Sequence, residues 1–308
     1  MDWQAENVKI WANTRSFLEN DNFKNKRDGV KSRKYWKFFS NLLKLFTFGL
    51  KFLGAYRKAY DKALNVKTNI IELEYNNLPE QFDGFKILHL TDLHIDIAPN
   101  VDKKIIEAIT DLDYDICLMT GDYRNSEYGS FKAIKKPLTN LVNHIKAKEG
   151  IIATLGNHDT YLMVDFFESI GIKVLPNQTI DIVRGNRKIS ITGVDDVHSY
   201  YTDQAVMALE QEINNFKIAM VHSPEIFDIA ADNNYSLYLC GHTHAGQICL
   251  PKGKPLITHL YNGKEYYKGL WKYKQMYGYT SNGCGTSGIP IRINTQSEVT
   301  LFELKLKK

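Results

Sequence analysis

Five short apolar runs in this chain each break off into a polar cluster carrying aspartate, asparagine or histidine, and this recurrence constrains the fold more than any other feature. Residues 85–90 run into Thr91-Asp92-Leu93-His94, and 115–120 run into Gly121-Asp122-Tyr123-Arg124-Asn125. Residues 150–155 meet Gly156-Asn157-His158-Asp159, 216–221 meet His222-Ser223-Pro224, and 236–240 meet Gly241-His242-Thr243-His244. Helical patterns at about 102–111, 131–146, 161–170, 203–213 and 224–231 separate or follow these runs, and an edge strand is expected at 68–75. Alternation of strand-like and helix-like segments predicts an α/β sandwich. Strands that share a direction bring their carboxyl ends to one edge, where ligands of open α/β sheets bind, so the five clusters are expected to converge.

The residue types decide what converges. Two aspartates, an asparagine amide and several imidazoles, without thiolates, suit Mn²⁺, Fe, Zn²⁺ or Mg²⁺. In Asp92-x-His94 and His242-x-His244, alternate side chains of a still-extended chain point the same way and can address one site. The inventory is large enough for two cations about 3.5–4 Å apart with a bridging anion. Singly, each cluster has a plainer reading: Asp92 or Asp122 as an N-cap, Gly156-Asn157-His158-Asp159 as a turn. Their ordered conjunction outweighs those readings, because five of the nine histidines (His94, His158, His222, His242, His244) sit at strand exits. His89, His144, His198 and His259 do not, and are read as structural or unassigned.

With 44% hydrophobic and 24% charged residues over 308 positions, extensive disorder is excluded. The four cysteines are scattered without a C-x-x-C pair, which points to a reducing compartment rather than a disulfide framework. Charge is unevenly placed. Residues 1–60 carry 13 Lys/Arg against 5 Asp/Glu, a net of +8, so the other 248 residues carry 26 against 30, a net of −4. A basic helical appendage over residues 1–60 and a catalytic domain over 61–308 follow. The polar, acidic start of the chain argues against a cleavable targeting segment.

Within the appendage, a short helix is expected around 8–18 and a polar loop over 20–29. From 35 to 60 the sequence is apolar and aromatic, yet Lys37, Lys44, Lys51 and Lys58 recur every seventh residue and stay on one helical face. Lysines mid-span would cost roughly 2.5–3.5 kcal/mol each at a bilayer centre, so a helix lying on an anionic membrane surface is favoured over a spanning one. Packing of its apolar face on the catalytic domain or a sister subunit is the alternative. The expected location is cytoplasmic, peripheral on the inner membrane face.

The ordered blocks resemble those of the calcineurin-like metallophosphoesterases: D-x-H, G-D, G-N-H-D/E, a lone H and G-H-x-H, all found here over residues 92–244. The residues around 193–196, 241–247 and 281–292 look like a bacterial membrane-associated subgroup that includes an enzyme cleaving UDP-2,3-diacylglucosamine in lipid A synthesis. The resemblance implies a four-layer α/β/β/α sandwich of two mixed sheets. It also implies that Asp92, His94 and His244 hold one ion, with Asp122 bridging to a second held by Asn157, His222 and His242. His158 would sit beside the phosphate with Asp159 orienting it, and Arg124 and Asn157 are candidate phosphate contacts. Two departures, Ala245 for a usual glycine and Asn282 for a frequent arginine, bear on substrate preference.

The expected reaction is hydrolysis of a phosphodiester or pyrophosphate by metal-activated water, with Mn²⁺ favoured and no covalent phosphoenzyme. An amphiphilic, lipid-linked phosphate substrate at the membrane is expected, UDP-2,3-diacylglucosamine being the most specific candidate. Two rivals are a general phosphodiesterase or nuclease of the same fold and a non-catalytic membrane scaffold. Nucleic acid is disfavoured because the catalytic part is net negative. Aromatics between Tyr261 and Tyr279 form either a cap over substrate or a packed β-hairpin.

Overall fold

The computed structural model describes Met1, residues 5–20 and residues 33–308, with the backbone alone for 33–40. Twelve strands form two mixed six-stranded sheets among the described residues. In the first, the order is β1 (Lys67–Tyr75), β12 (Glu298–Leu306), β2 (Phe85–Leu90), β3 (Ile116–Thr120), β4 (Ile151–Thr154) and β5 (Ile172–Val174). In the second it is β10 (Gly269–Tyr273), β11 (Met276–Thr280), β9 (Leu237–Cys240), β8 (Phe216–Met220), β7 (Arg187–Gly193) and β6 (Gln178–Arg184). Strands β2 to β5 are mutually parallel, as are β7, β8, β9 and β11.

Period-two alternation explains the layering. Phe85, Ile87, Ile116, Leu118 and Ile152 point from the first sheet into a core shared with Ile189, Ile218, Met220, Leu237 and Leu239 of the second. The opposite faces carry Leu88, Leu90, Cys117 and Met119 on one side, and Ala219, Val221, Tyr238 and Cys240 on the other. Helices cover both. Ile105 of α4 (Val101–Ile109), Leu138 of α5 (Lys132–Val142) and Phe167 of α6 (Val164–Ser169) pack on the first sheet. Ala205 of α7 (Asp203–Leu209) and Ala230 of α8 (Phe227–Asp232) pack on the second. The expected four-layer α/β/β/α sandwich is the observed architecture.

The N-terminal segment departs from a simple appendage. Helix α1 (Glu6–Asn20) puts Val8 and Trp11 into the core beneath the first sheet, and fully burying such side chains stabilises by about 1.5–3 kcal/mol each. The helix expected over 35–60 is two: α2 (Arg33–Phe52) and α3 (Tyr56–Leu64), separated where Gly54 takes a φ of +69°. A positive φ is easy for glycine and ends the helix there. Helix α3 is tied to the body by the Ala59 and Ala63 carbonyls, which accept from Arg292 N and Ser297 Oγ. By contrast, α2 leaves Leu45, Phe48 and Phe52 at 68%, 66% and 82% exposure. Among the described residues, no helix is long and apolar enough to cross a membrane. The loop expected over 20–29 lies outside the described residues, apart from Asn20 at the end of α1.

Of the aromatic segment before residue 280, the part from Gly269 onward forms the hairpin β10–β11, while Tyr261 stacks on His198. Tyr266, Trp271 and Tyr273 gather around Phe227 of α8, with Tyr266 stacked on Trp271 at 4.5 Å. These rings pack on the outer helical layer rather than forming a cap.

Candidate metal centre

Each cluster sits where its strand runs out: Asp92 and His94 after β2, Asp122 after β3, Asn157 to Asp159 after β4, His222 after β8, His242 and His244 after β9. Backbone bonds stitch the exits together, from Asp92 N to Gly121 O, His94 N to Asp122 O and Gly241 N to His222 O. The expectation that Asp92-x-His94 and His242-x-His244 remain extended is corrected here. Asp92, His94, Asp122, His242 and His244 have φ of 50°, 36°, 59°, 73° and 50°, so left-handed turns, not strand alternation, aim these side chains inward. Non-glycine residues there are strained, and such strain persists where the surroundings over-determine it, commonly at functional sites.

Two donor sets flank the Asp122 carboxylate. On one side, His94 Nε2 lies 3.2 Å from His244 Nε2, and His244 Nε2 lies 3.4 Å from Asp92 Oδ1. On the other, Asn157 Oδ1 lies 3.1 Å from His222 Nε2 and 3.0 Å from His242 Nδ1, with the two imidazole nitrogens 3.3 Å apart. Asp122 Oδ2 is 3.5 Å from His94 Nε2 and 3.4 Å from His222 Nε2. Asp92, His94 and His244, and likewise Asp92, Asp122 and His222, could each hold an ion with donor atoms within 4.8 Å of one another.

The donor set fits divalent cations. His94 and His222 use their Nδ1 atoms on the carbonyls of Arg124 and Thr120, each at 2.8 Å, which turns their Nε2 atoms toward the centre. His94 Nε2 and His244 Nε2 face each other at 3.2 Å with His244 Nδ1 buried and unbonded among the described residues, a pair of nitrogens that suits a shared cation. Burial pushes His94 down to about 3 and holds His242 and His244 well below the usual imidazole range, so all three are neutral ligands at pH 7. Burial, reinforced by Asp122, lifts Asp92 to about 6. Burial would also lift Asp122, but the imidazoles of His222, His158 and His94 outweigh it and hold that carboxyl well below its ordinary value. His222 is raised in turn: burial lowers it, yet Asp122 and Asp92 prevail.

His158 occupies the open side. Its Nδ1 bonds the Asn125 carbonyl at 2.7 Å, leaving Nε2 3.9 Å from both Asp122 Oδ2 and Glu127 Oε1. Asp159 does not orient that ring, as the resemblance implied. Its carboxylate accepts the amides of Asp122, Tyr123 and Gly156 at 2.8, 3.0 and 2.8 Å and so locks two loops together. Arg124 is corrected as a phosphate contact: its guanidinium donates to the carbonyls of His158, Gly129 and Glu127 and is buried there.

Several contributors escaped the sequence reading. Thr91 Oγ1 donates to Asp92 Oδ2 at 2.9 Å. Arg292, fully buried, donates to the carbonyls of His244, Asn282, Gly283 and Gly285 and shapes the loop under Asp92. Asn282 is turned onto Glu298 Oε2 at 2.9 Å. His198, read as structural or unassigned, lies 4.2 Å centroid to centroid from His242, bonds Glu225 and stacks on Tyr261. Thr91 stands at a strand exit and Asn282 and Arg292 fall within the 281–292 block, but spacing gave no sign of the bonds they make, and His198 follows neither pattern.

Close packing makes the site intolerant of added volume. A Cβ on Gly156 would lie 2.3 Å from Asp122 Oδ1 and 2.6 Å from Asp122 N. Gly156→Ala is therefore expected to displace Asp122, lower stability by about 1–3 kcal/mol and weaken metal binding. Thermal denaturation and metal titration check this; an unchanged melting temperature together with unchanged affinity would refute the packing argument.

Comparison with known proteins agrees with this geometry. The family profile for calcineurin-like phosphoesterases matches residues 85–246, the span from β2 to the loop after β9. The chain belongs to that family and is a metal-dependent phosphoester hydrolase. It is 30% identical over 251 residues to the uncharacterized metallophosphoesterase YkuE of Bacillus subtilis, covering 78% of this chain and 86% of that one. It is 30% identical over 234 residues to the phosphodiesterase YaeI of Escherichia coli, covering 71% and 82%. A transmembrane protein with metallophosphoesterase domain from Danio rerio is 28% identical over 258 residues, 76% of this chain and 56% of that one.

Proposed function

We propose that this hydrolase cleaves a phosphodiester or pyrophosphate bond using two divalent ions, Mn²⁺ foremost, on an amphiphilic substrate met at an anionic membrane surface. The observation that carries the reading is the Asp122 carboxylate lying between two donor sets, 3.5 Å from His94 Nε2 and 3.4 Å from His222 Nε2. Asp92, His94 and His244 would hold one ion and Asn157, His222 and His242 the other, with the Asp122 carboxylate shared between the two donor sets. Bound there, the ions would neutralise phosphate oxygens and supply an activated water. In its doubly protonated form His158 would donate from Nε2 to the phosphate or the leaving oxygen, its Nδ1–H fixed on the Asn125 carbonyl. Asp159 and Arg124 keep the loops that carry Asp122 and His158 in register. The name of the relative YaeI supports a diester over a monoester.

The membrane part of the reading is supported by α2, where exposed Leu45, Phe48, Phe52 and the following Leu53 adjoin exposed Lys44 and Lys51. An apolar stripe beside lysines suits a helix lying among anionic headgroups. Deleting residues 1–60 would also remove α1 from the core, so the sharper variant is Phe48→Ser/Phe52→Ser/Leu53→Ser in the full chain. Flotation with phosphatidylglycerol vesicles should be lost in this variant while the fold persists; undiminished flotation would contradict the assignment. The most specific substrate in this class is UDP-2,3-diacylglucosamine. Turnover of that compound should exceed that of cyclic nucleotides, glycerophosphodiesters and short DNA, compared with Mn²⁺, Mg²⁺ and Zn²⁺; preference for DNA would favour a nuclease instead.

A further inference from the structure

The Asn157-His158 loop is held from the inside by Asp122 and Asp159, and its outer side meets α1, which lies outside the span matched by the family. Arg15 is 1% exposed. Its Nη2 donates to the carbonyls of Gly156 at 3.1 Å and Asp159 at 2.9 Å, the residues that bracket Asn157 and His158. Its Nη1 meets Asp195 Oδ1 at 2.5 Å, and Trp11 Nε1 meets the other oxygen of that carboxylate at 2.7 Å. Its Nε bonds Glu19, whose carboxylate in turn accepts from Thr160 Oγ1 and Tyr161 N, just beyond the loop. The guanidinium also lies 3.6 Å over the Tyr200 ring.

A planar fork of donors can fix two carbonyls and two carboxylates at once, which a lysine ammonium cannot do with the same geometry. The two carbonyls fix the Gly156–Asn157 and Asp159–Thr160 peptide planes, which bracket the segment carrying Asn157, whose Oδ1 faces His222 and His242. We infer that Arg15 is a positioning residue for Asn157 and His158, so that α1 sets the affinity of the ion held by Asn157, His222 and His242. The inference rests on the two-ion reading above. Partners that orient metal ligands from behind typically change metal affinity or activity 10–100-fold when altered.

The test is Arg15→Lys in the full chain, which keeps a charge beside Asp195 and loses the fork. Metal-free protein should show amide hydrogen exchange at 156–160 accelerated about tenfold or more, with β2 and β9 unaffected. Mn²⁺ titration should show one of two ions weakened roughly 10–100-fold, with kcat reduced and KM little changed. Arg15→Met combined with Asp195→Asn, which removes both buried charges together, should give the same loop exchange and the same loss at one ion. Wild-type protection of 156–160 and wild-type affinity for both ions in either folded variant would overturn the inference. If the loop and affinity changes appear while the wild-type chain cleaves no diester or pyrophosphate, the positioning role stands and the proposed function falls.

Discussion

Asp122→Asn is expected to abolish metal-dependent turnover, with a fall of about a thousandfold or more, while the folded chain remains. The amide nearly matches the carboxylate in shape and can still accept at Oδ1 from His158 N, which the native side chain does at 2.9 Å. What it loses is the negative charge shared by the two donor sets. Several kcal/mol of charge stabilisation depend on the ions there, and each 1.36 kcal/mol is tenfold in rate. A second consequence separates this account from simple unfolding. Because Asp122 is the strongest of the groups that raise His222, its neutralisation should lower the His222 pKa, readable by NMR titration of the imidazole. Turnover within tenfold of wild type, or an unmoved His222, would count against Asp122 as the bridge.

The second large effect concerns pH. Metal-free, His222 is raised by Asp122 and stays protonated at pH 7, while Asp92, lifted chiefly by burial to about 6, is mostly ionised. Ions bind the deprotonated donors, so binding at pH 7 should release about one proton, from His222, and below pH 6 about two, as Asp92 joins it. Affinity should then fall about tenfold per pH unit near 7 and about a hundredfold per unit below 6. The sign for the metal-free fold is opposite. Both groups bind protons more tightly folded than unfolded, so their contribution to stability grows as pH falls, for His222 until its ordinary value of about 6.5 is passed and for Asp92 from about 6 downward. The melting-temperature gain on adding Mn²⁺ should therefore shrink steadily from pH 7.5 to 5.5. Calorimetry in buffers of different ionisation enthalpy gives the proton count; a gain that does not change over this range would contradict the electrostatics.

How far the sequence alone reached depends on what each residue leans on. The strands before Asp92, Asp122, Asn157, His222 and His242 were legible because an apolar run followed by an abrupt polar cluster leaves a local mark, and their shared edge follows from parallel topology. The four layers came from the family resemblance, whereas the α/β class was legible from the alternation of strand and helix patterns. The means of aiming was not. Nothing in the spacing of Asp92-x-His94 distinguishes an extended pair from one with φ of 50° and 36°, because the turns are imposed by contacts such as Asp92 N to Gly121 O across loops. Arg124, which invites assignment as a phosphate contact from its neighbourhood alone, is committed to three main-chain carbonyls that only the folded loop provides. Arg15 and Arg292 reach the centre from 141 and 48 positions away, distances at which periodicity carries no information. The break at Gly54 was visible as a glycine, yet the lysine period running through it concealed the end of α2.

The most direct test of the central claim is turnover of bis-p-nitrophenyl phosphate by the full chain, stripped with a chelator and then titrated with Mn²⁺. The account predicts no hydrolysis in the stripped protein and recovery that saturates at two equivalents of metal. Hydrolysis that persists without metal, or that is complete at one equivalent, would contradict it.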